Sequence, residues 1–85
     1  EQQRPEEGRS LLTESVAVMR ELGDRLQLGK MLALQGLAAY ELGDDPAAWA
    51  ALEEGEGLAG ELGAGEDSVL RRHLTELRQG LSARA

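Results

Sequence analysis

Cysteine and phenylalanine are both absent from this chain, and Tyr40 and Trp49 are its only aromatic residues. Without thiols there is no disulfide framework and no thiolate metal site, a composition that fits the cytoplasm. The scarcity of aromatics leaves leucine, alanine, valine and methionine to build the core. A single domain of 85 residues is expected, and a chain of that size buries only a modest share of its surface. No apolar run approaches the roughly 20 residues that cross a bilayer, so no membrane segment is expected. No stretch alternates apolar and polar residues with period two, so strands are not expected either. A basic excess is missing too: the net charge of −7 opposes direct binding to nucleic-acid phosphates.

The charge that is present is unevenly spread. Between Asp44 and Asp67 there are eight carboxylates and no basic side chain, whereas from Ser68 onward four arginines stand against Glu76 alone. An acidic face and a basic end can therefore meet within one molecule or between two. Glycine and proline punctuate the remainder. Pro5 suits a first helical turn, with Glu6 and Glu7 at the positive end of the helix dipole. Gly23, Gly43 and Gly63 stop helices, Asp24 and Asp45 are candidate caps, and Pro46 fits another first turn. Four helices are predicted, over about residues 5–22, 25–42, 46–62 and 66–81, with Glu1 to Arg4 frayed and Ser82 to Ala85 a tail. The second is apolar on nearly every side, as suits a helix with several neighbours. The third carries Ala48, Leu52, Gly55, Ala59 and Leu62 as one narrow seam. The fold class is all-α.

Glu-Leu-Gly recurs at Glu21, Glu41 and Glu61, a spacing of 20 residues. At an offset of 40, Leu12 falls on Leu52, Glu14 on Glu54, Ser15 on Gly55, Val18 on Leu58 and Leu22 on Leu62. The repeating unit is thus a helical hairpin of about 40 residues, a length found among helical solenoids. Leu32, Gly36, Ala48 and Leu52, with Gly55 as a second small residue, resemble the tetratricopeptide repeat: large-glycine-large on helix A, alanine-large-small on helix B. The phrases from Leu11 to Arg25 and from Tyr40 to Asp44 look like the longer repeats in the C-terminal arrays of large bacterial ATP-binding regulators of the LuxR and SARP classes. The resemblance implies a four-helix antiparallel array. In it the first helix is a B helix lacking its A partner, the second and third form a full repeat, and the fourth is a polar cap. The chain is then expected to be the C-terminal end of a longer array. The aromatics usual in the family are missing at Leu32, Ala39 and Leu52, and Glu76 stands where the match to Gly36 would be small.

Constellations that mimic chemistry have simpler explanations. Gly55-Glu56-Gly57-Leu58-Ala59-Gly60 spells G-x-G-x-x-G, but that fingerprint needs a preceding strand and a helix opening at it, and Glu53, Glu54 and Glu56 would repel phosphate. Those three glutamates lack the convergent partners of a catalytic pair and read as a solvated face. His73 and Glu76 share one helical turn, yet a metal site in a bundle draws several donors from facing helices. No enzyme activity, cofactor or metal is expected.

Three groups of residues are candidates for interaction. The family resemblance implies that Lys30, Ala33, Leu37, Tyr40 and Glu41 line an inner, partner-facing groove, with Leu37 and Tyr40 as its apolar floor and Lys30 and Glu41 as its polar edges. The alternative is that a neighbouring helix covers them. Trp49, one step off the third helix's seam, either fills a rim against the fourth helix or anchors an interface. Arg71, Arg72, Arg78 and Arg84 form the one basic region, either a solvated face or a contact with the acidic face of a neighbouring repeat or subunit. The expected role is a protein-interaction or regulatory module, by resemblance part of a bacterial transcriptional regulator, with a protein or peptide as partner. A free-standing helical bundle that works by self-association is the alternative.

Overall fold

Three left-handed glycines divide the chain into helices. Gly23, Gly43 and Gly63 have φ of +73°, +80° and +70°, a conformation that ends a helix and that a side chain resists. The computed structural model describes residues 5–63 and 68–84, with the side chains of Pro5 and Glu6 left aside. Within it lie α1 (Pro5–Leu22), α2 (Arg25–Glu41), α3 (Asp45–Leu62) and α4 (Val69–Ala83), and among the described residues there is no strand. The expected fraying of Glu1 to Arg4, a helix start at Glu66 or Asp67, the loose Ala64-Gly65 and the last residue of the tail lie outside the described residues.

The caps follow from which side chain reaches an unpaired amide. Asp24 accepts from the Gln27 N–H at 3.2 Å and opens α2. Asp44, rather than the expected Asp45, caps α3 by accepting from the Ala47 N–H at 3.3 Å. Asp45 and Pro46 then occupy the first turn, where a missing N–H goes unnoticed. Ser68 accepts from the Arg71 N–H at 3.0 Å, so α4 opens at Val69, and it runs on to Ala83.

α2 packs against α1, α3 and α4, which is why its apolar residues surround it, and α4 also packs against α3. Among the described residues α1 approaches only α2 closely. Leu70, Leu74, Leu77 and Leu81 of α4 are buried together with Leu52 and the alanines of α2 and α3. A second, smaller cluster joins Val16 of α1 to Leu28, Leu32 and Leu58.

With so little aromatic bulk, the helices gain contact by approaching closely, and glycine makes that possible. A Cβ at Gly36 would lie 2.5 Å from Leu77 Cδ2, one at Gly55 2.9 Å from Leu74 Cδ2, and one at Gly29 3.1 Å from Leu70 Cδ2. On α4 itself, Gly80 makes room for the ring of Tyr40, whose hydroxyl would be 2.9 Å from an added Cβ. Gly57 and Gly60, by contrast, face open space. Replacing either of these by alanine should raise stability by about 0.5–1 kcal/mol, the helix-propensity difference with no steric penalty. Urea unfolding checks this: the midpoint rises with unchanged slope, whereas a lowered midpoint would mean that the added methyl group meets something.

Candidate functional site

Among the described residues, one arc of α2 is left largely uncovered by its three neighbours. Leu26, Lys30, Leu34, Leu37 and Glu41 follow one another at steps of four, four, three and four, which places them on one helix face. Leu26 and Leu34 are exposed at 46% and 37%, and Lys30 and Leu37 are half-buried. Beside this arc runs a stripe of α1, Leu11, Ser15, Val18 and Leu22, with Leu11, Val18 and Leu22 exposed at 64%, 47% and 70%. The α1 residues that face α3 are Arg9, Thr13, Ala17 and Arg20. The apolar stripe lies on the other side of α1 and so adjoins the open arc of α2. Of the large apolar residues exposed among the described ones, only Leu62 and Val69 lie off these two faces.

The predicted groove divides between two environments. Lys30 and Glu41 lie on the open arc, and Leu37, on the same helix face, packs half-buried against the cluster that holds the α4 leucines. Ala33 is fully buried, and Tyr40 is half-buried against α4, its ring beside Gly80 and 3.7 Å from the Arg84 guanidinium. Sequence reasoning did not single out Leu26 or Leu34, or assign an interaction role to Leu11, Val18 and Leu22. The offset of 40 carried the signal, because Val18 and Leu22 align with residues of the α3 seam helix, where Leu58 is buried.

Trp49 is half-buried at the rim beside α4, with the Arg78 guanidinium 5.6 Å from its ring centroid. Arg78 also donates two hydrogen bonds to Glu56, at 2.8 and 2.7 Å, holding that carboxyl below its usual range. Arg71 adds a smaller pull in the same direction, while Arg72 is exposed. Arg84 donates to the Tyr40 carbonyl at 2.6 Å and pairs with Asp45, which ties the end of α4 to the α2–α3 turn. Acidic helix and basic end thus meet within one molecule.

On the opposite side, α1 and α3 flank a cleft of about 460 Å³ floored by α2. Its walls are mostly apolar, including Val16, Leu32, Ala39 and Ala51, and the Gln35 amide donates to the Thr13 hydroxyl within it. Arg9 bridges to Asp44 at 2.5 Å and Arg20 to Glu54 at 2.6 Å, spanning the cleft from α1 to α3. The Arg9 hydrogen bond, helped by the Ala47 N–H, holds the Asp44 carboxyl below its ordinary value.

The sequence segments that mimic chemistry lie on α3 and α4. The G-x-G-x-x-G segment lies within α3, where its amides belong to the helix and Gly55 sits under Leu74. Glu53 and Glu54 are exposed, and His73 is half-buried on α4 while Glu76 is exposed. Among the described residues no group of three or more histidines and carboxylates is placed to hold a metal ion, and no helix is long and apolar enough to cross a membrane. Comparison of the chain with models of protein families, with curated proteins and with solved structures finds no match.

A carboxyl whose pKa is lowered by folding adds stability above its unfolded value, about 4, and that contribution is lost as pH falls through the folded value. Asp44 is such a group. Arg9→Gln should move the Asp44 midpoint upward in a carboxyl carbon NMR titration, leaving it somewhat low because the Ala47 N–H remains. An unchanged midpoint would show that Arg9 does not hold it.

Proposed function

We propose that this chain is a helical-repeat interaction module of the tetratricopeptide type, which binds a protein or peptide along the apolar side formed by α1 and α2. The observation that carries the reading is the gathering of exposed large side chains on that side: Leu11, Val18, Leu22, Leu26 and Leu34. A contiguous exposed apolar patch commonly marks an interaction surface. Leu37 would add to the floor, with Lys30 and Glu41 as charged edges that set the direction of a bound segment. The repeat-like packing supports the reading, since successive hairpins each place one helix against the next and, among the described residues, α1 has close backbone contact with α2 and no other helix. The resemblance to bacterial LuxR- and SARP-class regulators suggests a cytoplasmic regulatory setting; this part of the reading rests on sequence alone. No catalytic step, cofactor or nucleic-acid contact is part of it.

Self-association is the second reading, favoured by the uncovered stripe of α1. One experiment separates the two. Random 12-residue peptides displayed on phage are selected against the chain at a concentration where light scattering reports a monomer, then tested against Leu34→Glu, a surface variant whose folding is checked by circular dichroism. The proposal expects peptides that bind the parent chain and lose about tenfold or more on the variant, as for an interface side chain that matters. Peptides indifferent to the variant, or none at all, would overturn it. A dimer that persists at low micromolar concentration and dissociates on Leu34→Glu would establish self-association instead.

A further inference from the structure

The contact that α1 lacks among the described residues is present elsewhere in the same molecule. At the offset of 40, Leu11, Ser15 and Val18 correspond to Ala51, Gly55 and Leu58 of α3, all buried. α2 covers Ala51 and Leu58 with residues spaced along one face, and shares the cover of Gly55 with Leu74 of α4. A Cβ on Gly36 would lie 3.4 Å from Ala51, one on Gly29 3.9 Å from Leu58, and Leu32 Cβ sits 3.9 Å from the corresponding position of Gly55. Of the equivalent side chains of α1, Leu11 and Val18 are exposed and Ser15 is half-buried, although its neighbouring face, Val16 with Met19, is packed on α2. One half of the contact therefore occurs twice and the other half once.

The charges repeat in the same register. Glu54 and Glu61 of α3 are paired with Arg20 and with Arg25, the first residue of α2. Their counterparts on α1 are Glu14 and Glu21, both exposed, and neither forms an ion pair among the described residues. An apolar stripe and Glu21 thus stand together on α1 as the α3 stripe and Glu61 do where α2 binds, while Glu14 matches the carboxylate that α3 offers to Arg20 of α1.

From this we propose that the α1 stripe seats a partner helix with the chemistry of α2: small residues seven positions apart with a leucine between them, and an arginine in its first turn to meet Glu21. Because Leu11 is larger than Ala51, the partner needs glycine or alanine opposite it. The inference rests on the reading of this side as an interaction surface and adds the identity of its occupant.

The probe is a labelled peptide with the sequence of residues 25–42, titrated with the intact chain by fluorescence anisotropy. Saturable binding is expected, about tenfold weaker for Val18→Glu in the chain and for Gly36→Leu in the peptide. Glu21→Arg should also weaken it, and Arg25→Glu in the peptide should restore it. Val18 and Glu21 are both exposed, so each variant is expected to fold, and circular dichroism verifies this. Binding unaffected by Val18→Glu, or a charge exchange that restores nothing, would overturn the proposal, since the peptide would then be sitting elsewhere. No peptide binding, while displayed peptides still depend on Leu34, would remove this inference and leave the proposed function. Failure of both would remove both.

Discussion

Leu77 lies where a methyl group on Gly36 would come within 2.5 Å of its Cδ2, and the rest of the fold is arranged about that close approach. A core without phenylalanine has little bulk with which to fill space between helices at ordinary separation. Placing leucines over glycines shortens the separation, and many small dispersion contacts replace the area that aromatic rings would bury. Leu70 over Gly29, Leu74 over Gly55 and Leu77 over Gly36 seat α4 against both α2 and α3. Tyr40 against Gly80 reverses the direction of the same device. The arginine at the end of α4 then fastens the α2–α3 turn through Asp45 and the Tyr40 carbonyl.

Electrostatics is secondary and organised around α3. Arg9, Arg20, Arg25, Arg78 and Arg84 all reach carboxylates of that helix or its cap, from both flanks. Exposed pairs of this kind contribute little each. Two of them, from Arg9 and Arg20, join α1 to α3, and among the described residues the close backbone packing of α1 is with α2. The two ends of the bundle consequently differ: α4 is held by interlocking, α1 by one-sided packing and bridging charges. Leu62 and Val69 apart, the large exposed apolar side chains among the described residues lie on α1 and the open arc of α2.

Much of this was legible in the residues. The Glu-Leu-Gly repeats marked three helix ends because glycine alone adopts positive φ there freely, and the all-round apolar pattern of α2 foretold its central place. A family pattern names positions, but not the neighbour that covers each, so Ala33, Leu37 and Tyr40 were placed in one groove although Ala33 is buried in the cluster that holds the α4 leucines and Leu37 and Tyr40 pack against it. The cap at Asp44 was ambiguous because Asp45 offers the same carboxylate one residue later. The cleft depends on side-chain lengths from three helices at once, and the Arg78–Glu56 pair on a separation of 22 residues, neither of which local patterning contains.

A double-mutant cycle between Gly36→Ala and Leu77→Ala, read by urea unfolding, tests the interlock most directly. The account predicts that Gly36→Ala destabilises the parent chain by about 1–3 kcal/mol, as overpacking does, and costs little or nothing once Leu77 is alanine, giving a coupling of similar size. Additive effects would mean that the glycine is not there for the leucine, and the proposed basis of the fold would be wrong.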